Sequence, residues 1–143
     1  MYSALQILHS YWAYLVVLTV AFAFINALVG LLGNKTFADK DRKLALFALI
    51  AAHVQFLFGA ILYLVSPLGS SNLGGAAMKD ATQRLYALEH PLVMLIAIVL
   101  ITIGYSKSKR LTDGKAKFKT LTLMYGLAFF LILSRIPWAA WLD

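Results

Sequence analysis

The order of apolar and polar positions divides the chain into four apolar blocks separated by polar connectors. The blocks are Tyr11–Leu32, Leu44–Val65, Leu85–Tyr105 and Phe118–Trp138. Each is about 21 residues long, enough for a helix to cross a hydrocarbon core of about 30 Å. Lipid offers no partner for backbone N–H and C=O groups, so apolar runs of this length close their hydrogen bonds as helices. The two-residue alternation of a membrane β-barrel is absent. The pattern predicts an all-α, up–down bundle of four transmembrane helices occupying residues 1–143 as a single domain. The first block reads as a retained span: no Lys or Arg precedes it, and it is long for a signal sequence.

Composition excludes the main alternatives. Hydrophobic residues make up 62% and charged residues 13% of the 143 positions, and mean hydropathy is +0.80. A soluble domain carries about 25% charge, and a disordered chain carries fewer apolar residues still. With no cysteine, disulfides, thiolate metal sites and covalently attached haem are all excluded.

The net charge of +7 is confined mostly to two connectors. Lys35, Lys40, Arg42 and Lys43 lie in the first, and Lys107, Lys109, Arg110, Lys115, Lys117 and Lys119 in the third. The second holds only Lys79 and Arg84, and the first ten residues hold none. This ten-to-two division predicts a cytoplasmic side for connectors one and three. Both termini and connector two then face the periplasm of a bacterial inner membrane. Tyr2, Tyr11, Trp12, Tyr14, Trp138 and Trp141 fall on that outer side as an aromatic belt. The expected contacts are the bilayer and anionic lipids at the cytoplasmic connectors, with no nucleic acid. Connector two, Ser66–Met78, is turn-rich; it is either an open linker or a lid over the outer end.

Ionisable groups are costly within a span and usually face a bundle interior. Those in or beside the blocks are His9, His53, Glu89, His90 and Arg135, with Asn26 and Gln55 the strongest neutral polar residues. Counted from block midpoints at 1.5 Å per residue, His53 falls near the midplane. His90, Glu89, Arg135 and His9 fall about 7, 9, 10 and 15 Å outward, respectively. The His90 stripe carries Ala87, Met94, Ala97 and Gly104, which suits a helix interface, whereas the Glu89 stripe carries Val93, Ile96 and Leu100. Ala13, Ala23, Ala27 and Gly30 fall near the His9 stripe, and Ala52, Phe56 and Ala60 neighbour His53.

Histidines on different spans, with small residues around them and an arginine at the outer end, are the parts of a haem b site. His53 and His90 form the first candidate ligand pair, with His9 the alternative to His53. Arg135 would balance a propionate or pair with Glu89. Two other readings stand beside it: another metal or proton-linked role for the histidines, and hydrogen-bonded structural histidines without a ligand. The adjacent Glu89 and His90 do not form a metalloenzyme motif. Met78, Met94 and Met124 are packing residues unless one supplies a thioether ligand.

Leu8-His9-Ser10, Asp41-Arg42-Lys43-Leu44 leading to His53-Val54-Gln55, Leu88-Glu89-His90-Pro91 and Ser134-Arg135-Ile136-Pro137-Trp138 resemble segments of small bacterial four-helix membrane proteins. These are of the Bacteroidetes type and are labelled cytochrome b-like. The resemblance implies a haem protein in which His9, His53, Glu89 and His90 are the marked positions. The expected function is a b-type haem protein for electron transfer within the membrane, near quinone or a larger membrane complex. The alternatives are a non-catalytic subunit or scaffold and a small proton-linked transporter. No enzymatic activity is assigned, and self-association into a homo-oligomer remains open.

Overall fold

The computed structural model describes residues 1–141. Helix α1 spans Tyr2–Leu32 and α2 spans Asp39–Val65. A 3₁₀ turn at Ser70–Asn72 and the single-turn α3 at Gly75–Met78 follow. Helix α4, Ala81–Arg84, runs through a π-helical turn at Leu85–Glu89 into α5, His90–Arg110. Helix α6 spans Gly114–Ser134, and α7 is the short Trp138–Trp141. Four helical stretches are long and apolar enough to cross a membrane: Tyr2–Leu32, Asp39–Val65, Ala81–Arg110 and Gly114–Ser134.

The four pack as a ring. Helix α1 lies against α2 and α6, and α5 lies against α6 and α2. This leaves α1 and α5 facing one another across the diagonal. Contacts run antiparallel around the ring: Asn26 meets Asp41 and Trp12 meets Ala51 between α1 and α2, and Arg42 meets Tyr105 and Tyr63 meets Ala87 between α2 and the third stretch.

Small residues make these contacts. Ala23, Ala27, Ala48, Ala52, Ala97 and Ala128 are buried, whereas Phe22, Leu57, Leu64, Val99 and Phe130 point outward. Small side chains inside and large apolar ones outside suit close helix approach in lipid, where apolar burial alone does not drive association. Glycines mark the tightest crossings. A Cβ at Gly30 would lie 2.4 Å from the Phe118 ring, and one at Gly104 would lie 2.6 Å from Met124 Cβ.

Helix ends differ from the sequence expectation in two places that matter for the site. Helix α1 begins at Tyr2, nine residues before the apolar block. Hydropathy marks where a chain tolerates lipid, and nothing in Tyr2–Ser10 breaks a helix. Helix α6 ends at Ser134, four residues before the block ends. Pro137 has no N–H to donate to Leu133, and its ring disfavours helical geometry at Ile136. Arg135 therefore lies beyond the helix, and the free Leu133 carbonyl accepts the Trp138 indole N–H at 2.9 Å.

Near the basic connectors, Asp41 closes the start of α2. Its carboxylate accepts the Ala38 amide at 2.8 Å and the Asn26 side-chain amide at 2.9 Å, and only 6% of the residue is exposed. A carboxylate at a helix N-terminus also meets the positive end of the helix dipole. At the opposite end, connector two folds onto the helices. Ser66 is buried and its Oγ accepts the Leu68 amide, while a Cβ at Gly69 would collide with the Tyr63 carbonyl.

Candidate functional site

The polar groups converge at the end of the ring that carries the chain's N-terminus and connector two. Their placement starts with Pro91. Proline has no N–H, so in a regular helix the Ala87 carbonyl would lose its partner. The chain responds with a π turn in which the His90 amide donates to Leu85 O, five residues back. The vacant Ala87 carbonyl accepts the Tyr63 hydroxyl from α2 at 2.8 Å. Single π turns of this kind concentrate at functional sites.

His90 thereby turns inward at the start of α5. Its Nδ1 lies 2.8 Å from the Arg135 carbonyl, which is available because α6 has already ended. A carbonyl only accepts, so Nδ1 carries the proton, and in the neutral form of the ring the lone pair lies on Nε2. A histidine held through one nitrogen by a backbone carbonyl has the arrangement of an oriented metal ligand.

His9 approaches from α1. The two imidazole rings have centroids 6.1 Å apart and planes at 83°. His9 packs on α2 at Gly59, where a Cβ would lie 3.1 Å from its Cε1. One turn away, Gln55 Nε2 donates to the His9 carbonyl at 2.8 Å. Two buried polar atoms here have no partner: His9 Nδ1 and Gln55 Oε1. Each such atom costs about 1–3 kcal/mol until something satisfies it.

Glu89 sits beside the pair. Its carboxylate lies 2.9 Å from Arg84 Nε and 3.9 Å from Arg135 Nε. Arg84 also donates to the Met78 carbonyl at 2.9 Å, which ties connector two to the site. Sequence reasoning paired Glu89 with Arg135, with His9 or connector two as the alternative, and counted Arg84 itself only as a connector charge. The shorter contact belongs to Arg84, because the π turn brings Glu89 back toward the residue five positions earlier. In a double-mutant cycle, Glu89→Gln and Arg84→Gln should couple by about 0.5–1 kcal/mol, the scale of a half-exposed pair. Coupling to Arg135→Gln should be smaller. Thermal unfolding in detergent measures both, and a larger coupling to Arg135 would contradict this geometry.

His53, in contrast, is separated from His90. It is exposed on the outer surface of the α2–α5 seam, and its Nε2 lies 2.9 Å from Thr102 Oγ1. That hydroxyl donates to Ile98 O at 2.7 Å, so it accepts the proton of His53 Nε2. Thr102 is twelve residues, about 18 Å, along α5 from His90, and His53 is six residues, about 9 Å, along α2 from Gly59. His53 and His90, the first ligand pair expected from sequence, therefore do not share a site; His9 and His90 do. Midpoint counting misplaced His9 because it began α1 at residue 11 rather than 2.

A haem b site is tested by the His9–His90 spacing. Two imidazoles bound to one metal through bonds of about 2 Å hold their ring centres about 6 Å apart; the observed 6.1 Å equals that spacing, and it is equally the spacing of two rings in direct edge-to-face contact. The nearby guanidinium groups of Arg84 and Arg135 suit the carboxylates of such a group, whereas the orphaned Gln55 Oε1 is an acceptor and needs a donor. A cluster metal site is not formed: among the described residues, no three His, Asp or Glu side chains gather. Tyr63, Gly59 and Arg84 were missed by sequence reasoning. Pro91 announced a freed carbonyl, but which hydroxyl reaches it depends on how α2 packs.

No known protein family, curated protein or solved structure matches the chain.

Proposed function

We propose that the protein is a multi-pass component of a bacterial inner membrane that holds a b-type haem between His9 and His90 and carries electrons within the bilayer. The observation that carries this reading is the imidazole pair itself: two rings from diagonal helices with centroids 6.1 Å apart. His90 presents Nε2 because the Arg135 carbonyl holds Nδ1. His9 is braced by Gly59 and by Gln55 on its backbone carbonyl. Arg84 and Arg135 supply positive charge for propionates, with Glu89 as their resident counter-ion. A bound haem supplies reversible one-electron chemistry at iron. The chain's own residues orient the ring nitrogens and surround them with apolar helices. Quinone or a neighbouring subunit is the proposed electron partner.

The deciding experiment is an absorption spectrum of detergent-purified protein expressed with ample haem. A Soret band with a sharp α band on reduction is expected. A colourless, folded protein would reject the haem reading and favour the scaffold, in which the two imidazoles serve only as a packing contact.

The proposed orientation rests on the ten-to-two division of basic residues and places both termini outward. The chain has no cysteine, so single cysteines report cleanly. An impermeant thiol reagent on intact spheroplasts should label Ser71→Cys and spare Lys40→Cys. The reverse pattern would invert the topology.

A further inference from the structure

At the end of the ring opposite the histidines, the α1–α2 and α5–α6 connectors border an open cleft of about 370 Å³. Lys35, Lys115 and Lys117 line it, with Thr36, Thr112 and Asp113. Among the described residues, none of the three lysines forms an ion pair. Lys117 Nζ lies 5.2 Å from the centre of the Phe37 ring, which holds the ammonium beside the cleft. Asp113 is the one acid of the lining. Its Oδ1 is turned back to the Lys115 amide at 3.3 Å, where it caps α6. The cleft therefore carries an excess of positive charge.

Gly114 starts α6 and comes so close to the first connector that a Cβ would lie 3.2 Å from Phe37 Cβ. The Gly114 amide belongs to the first turn, where no intrahelical acceptor exists. The start of a 21-residue helix, two threonines and three lysines without an ion pair line one space. Those donors match the oxygens of a phosphate group. Apart from the helix terminus, three lysines and two threonines line the cleft.

We propose that this cleft binds a phosphate group, supplied by the headgroup of an anionic phospholipid. The connectors lie at the proposed cytoplasmic surface, where anionic headgroups present phosphate at the height of the helix ends. Basic pockets between spans on that side are suited to such headgroups. The lipid source rests on the membrane reading above and is independent of haem: a colourless protein leaves it intact.

The test measures binding to the full chain in detergent by native mass spectrometry. The probes are dioctanoyl phosphatidylglycerol, dioctanoyl phosphatidylcholine and inorganic phosphate. One saturable phosphatidylglycerol is expected, with phosphatidylcholine at least tenfold weaker. The combined Lys35→Gln, Lys115→Gln and Lys117→Gln variant should lose at least tenfold. The combined Lys40→Gln, Lys107→Gln and Lys119→Gln variant has the same charge change outside the cleft and should stay within twofold. Circular dichroism checks that both fold. Inorganic phosphate that binds the cleft as tightly as the lipid would keep the phosphate site and overturn the lipid as its source. Equal losses in the two variants, or equal binding of phosphatidylcholine, would overturn the site. Should the protein prove soluble without detergent, the membrane reading fails, and the inorganic phosphate arm then decides the cleft alone.

Discussion

If the protein holds haem as proposed, alanine at either His90 or His9 is expected to remove essentially all of the haem absorption, and alanine at His53 to leave it. The first two rings face each other with centroids 6.1 Å apart, whereas His53 donates to Thr102 on the outer seam. A haem held as proposed would keep only one of its two histidines in either variant, and His53 on the outer seam could not replace the other. All three variants should fold. His9 and His90 sit at one end of the ring, and the buried contacts around Val20, Ala48, Ile101 and Tyr125 lie elsewhere. Near-unchanged helical circular dichroism with an absent Soret band is therefore the expected signature. A spectrum that disappears with His53→Ala and survives His9→Ala would show that the wrong pair has been assigned.

The largest stability effect is expected at Gly30. A Cβ there would lie 2.4–2.7 Å from three atoms of the Phe118 ring. The ring cannot easily yield, because Phe118 is 2% exposed and Phe37 packs on it with centroids 4.9 Å apart. Overpacking of this kind costs about 1–3 kcal/mol for a methyl group and more for a larger side chain. Gly30→Ala should lower the melting temperature in detergent, and Gly30→Leu should lower it further. Adding Phe118→Leu shortens the obstructing side chain and should recover part of the loss, so the two changes should not add. Gly74→Ala is the control: nothing lies within 4 Å of its added Cβ, and its effect should fall within about 0.5 kcal/mol. A Gly30 variant as stable as the Gly74 control would mean that α1 and α6 do not cross as described.

The two effects differ in what the sequence reveals about them. Gly30 was visible as one of several small residues on the His9 stripe, but its partner was not. Which aromatic ring fills the space depends on the relative height of α1 and α6, and connector lengths fix that only loosely. His9 shows the same limit more sharply. Its residue type and helix could be read, yet its level relative to His90 could not, because the helix continues beyond the apolar block. Arg135 was read as the end of a span. Pro137 instead stops α6 at Ser134, and the released Arg135 carbonyl becomes the group that fixes the His90 ring.

The sequence by itself determined the number of long apolar helices, their approximate limits and the uneven distribution of basic residues. These are one-dimensional properties: hydropathy over a span of about 20 residues, charge between spans, and proline where a backbone donor is missing. Only the tertiary structure decided which polar groups meet. Helix rotation and axial stagger place each side chain, and a shift of a few residues moves a side chain by several ångströms and onto another face. On that scale His9 rather than His53 joins His90, Arg84 rather than Arg135 takes the closest place on Glu89, and Tyr63 reaches the carbonyl that Pro91 leaves free.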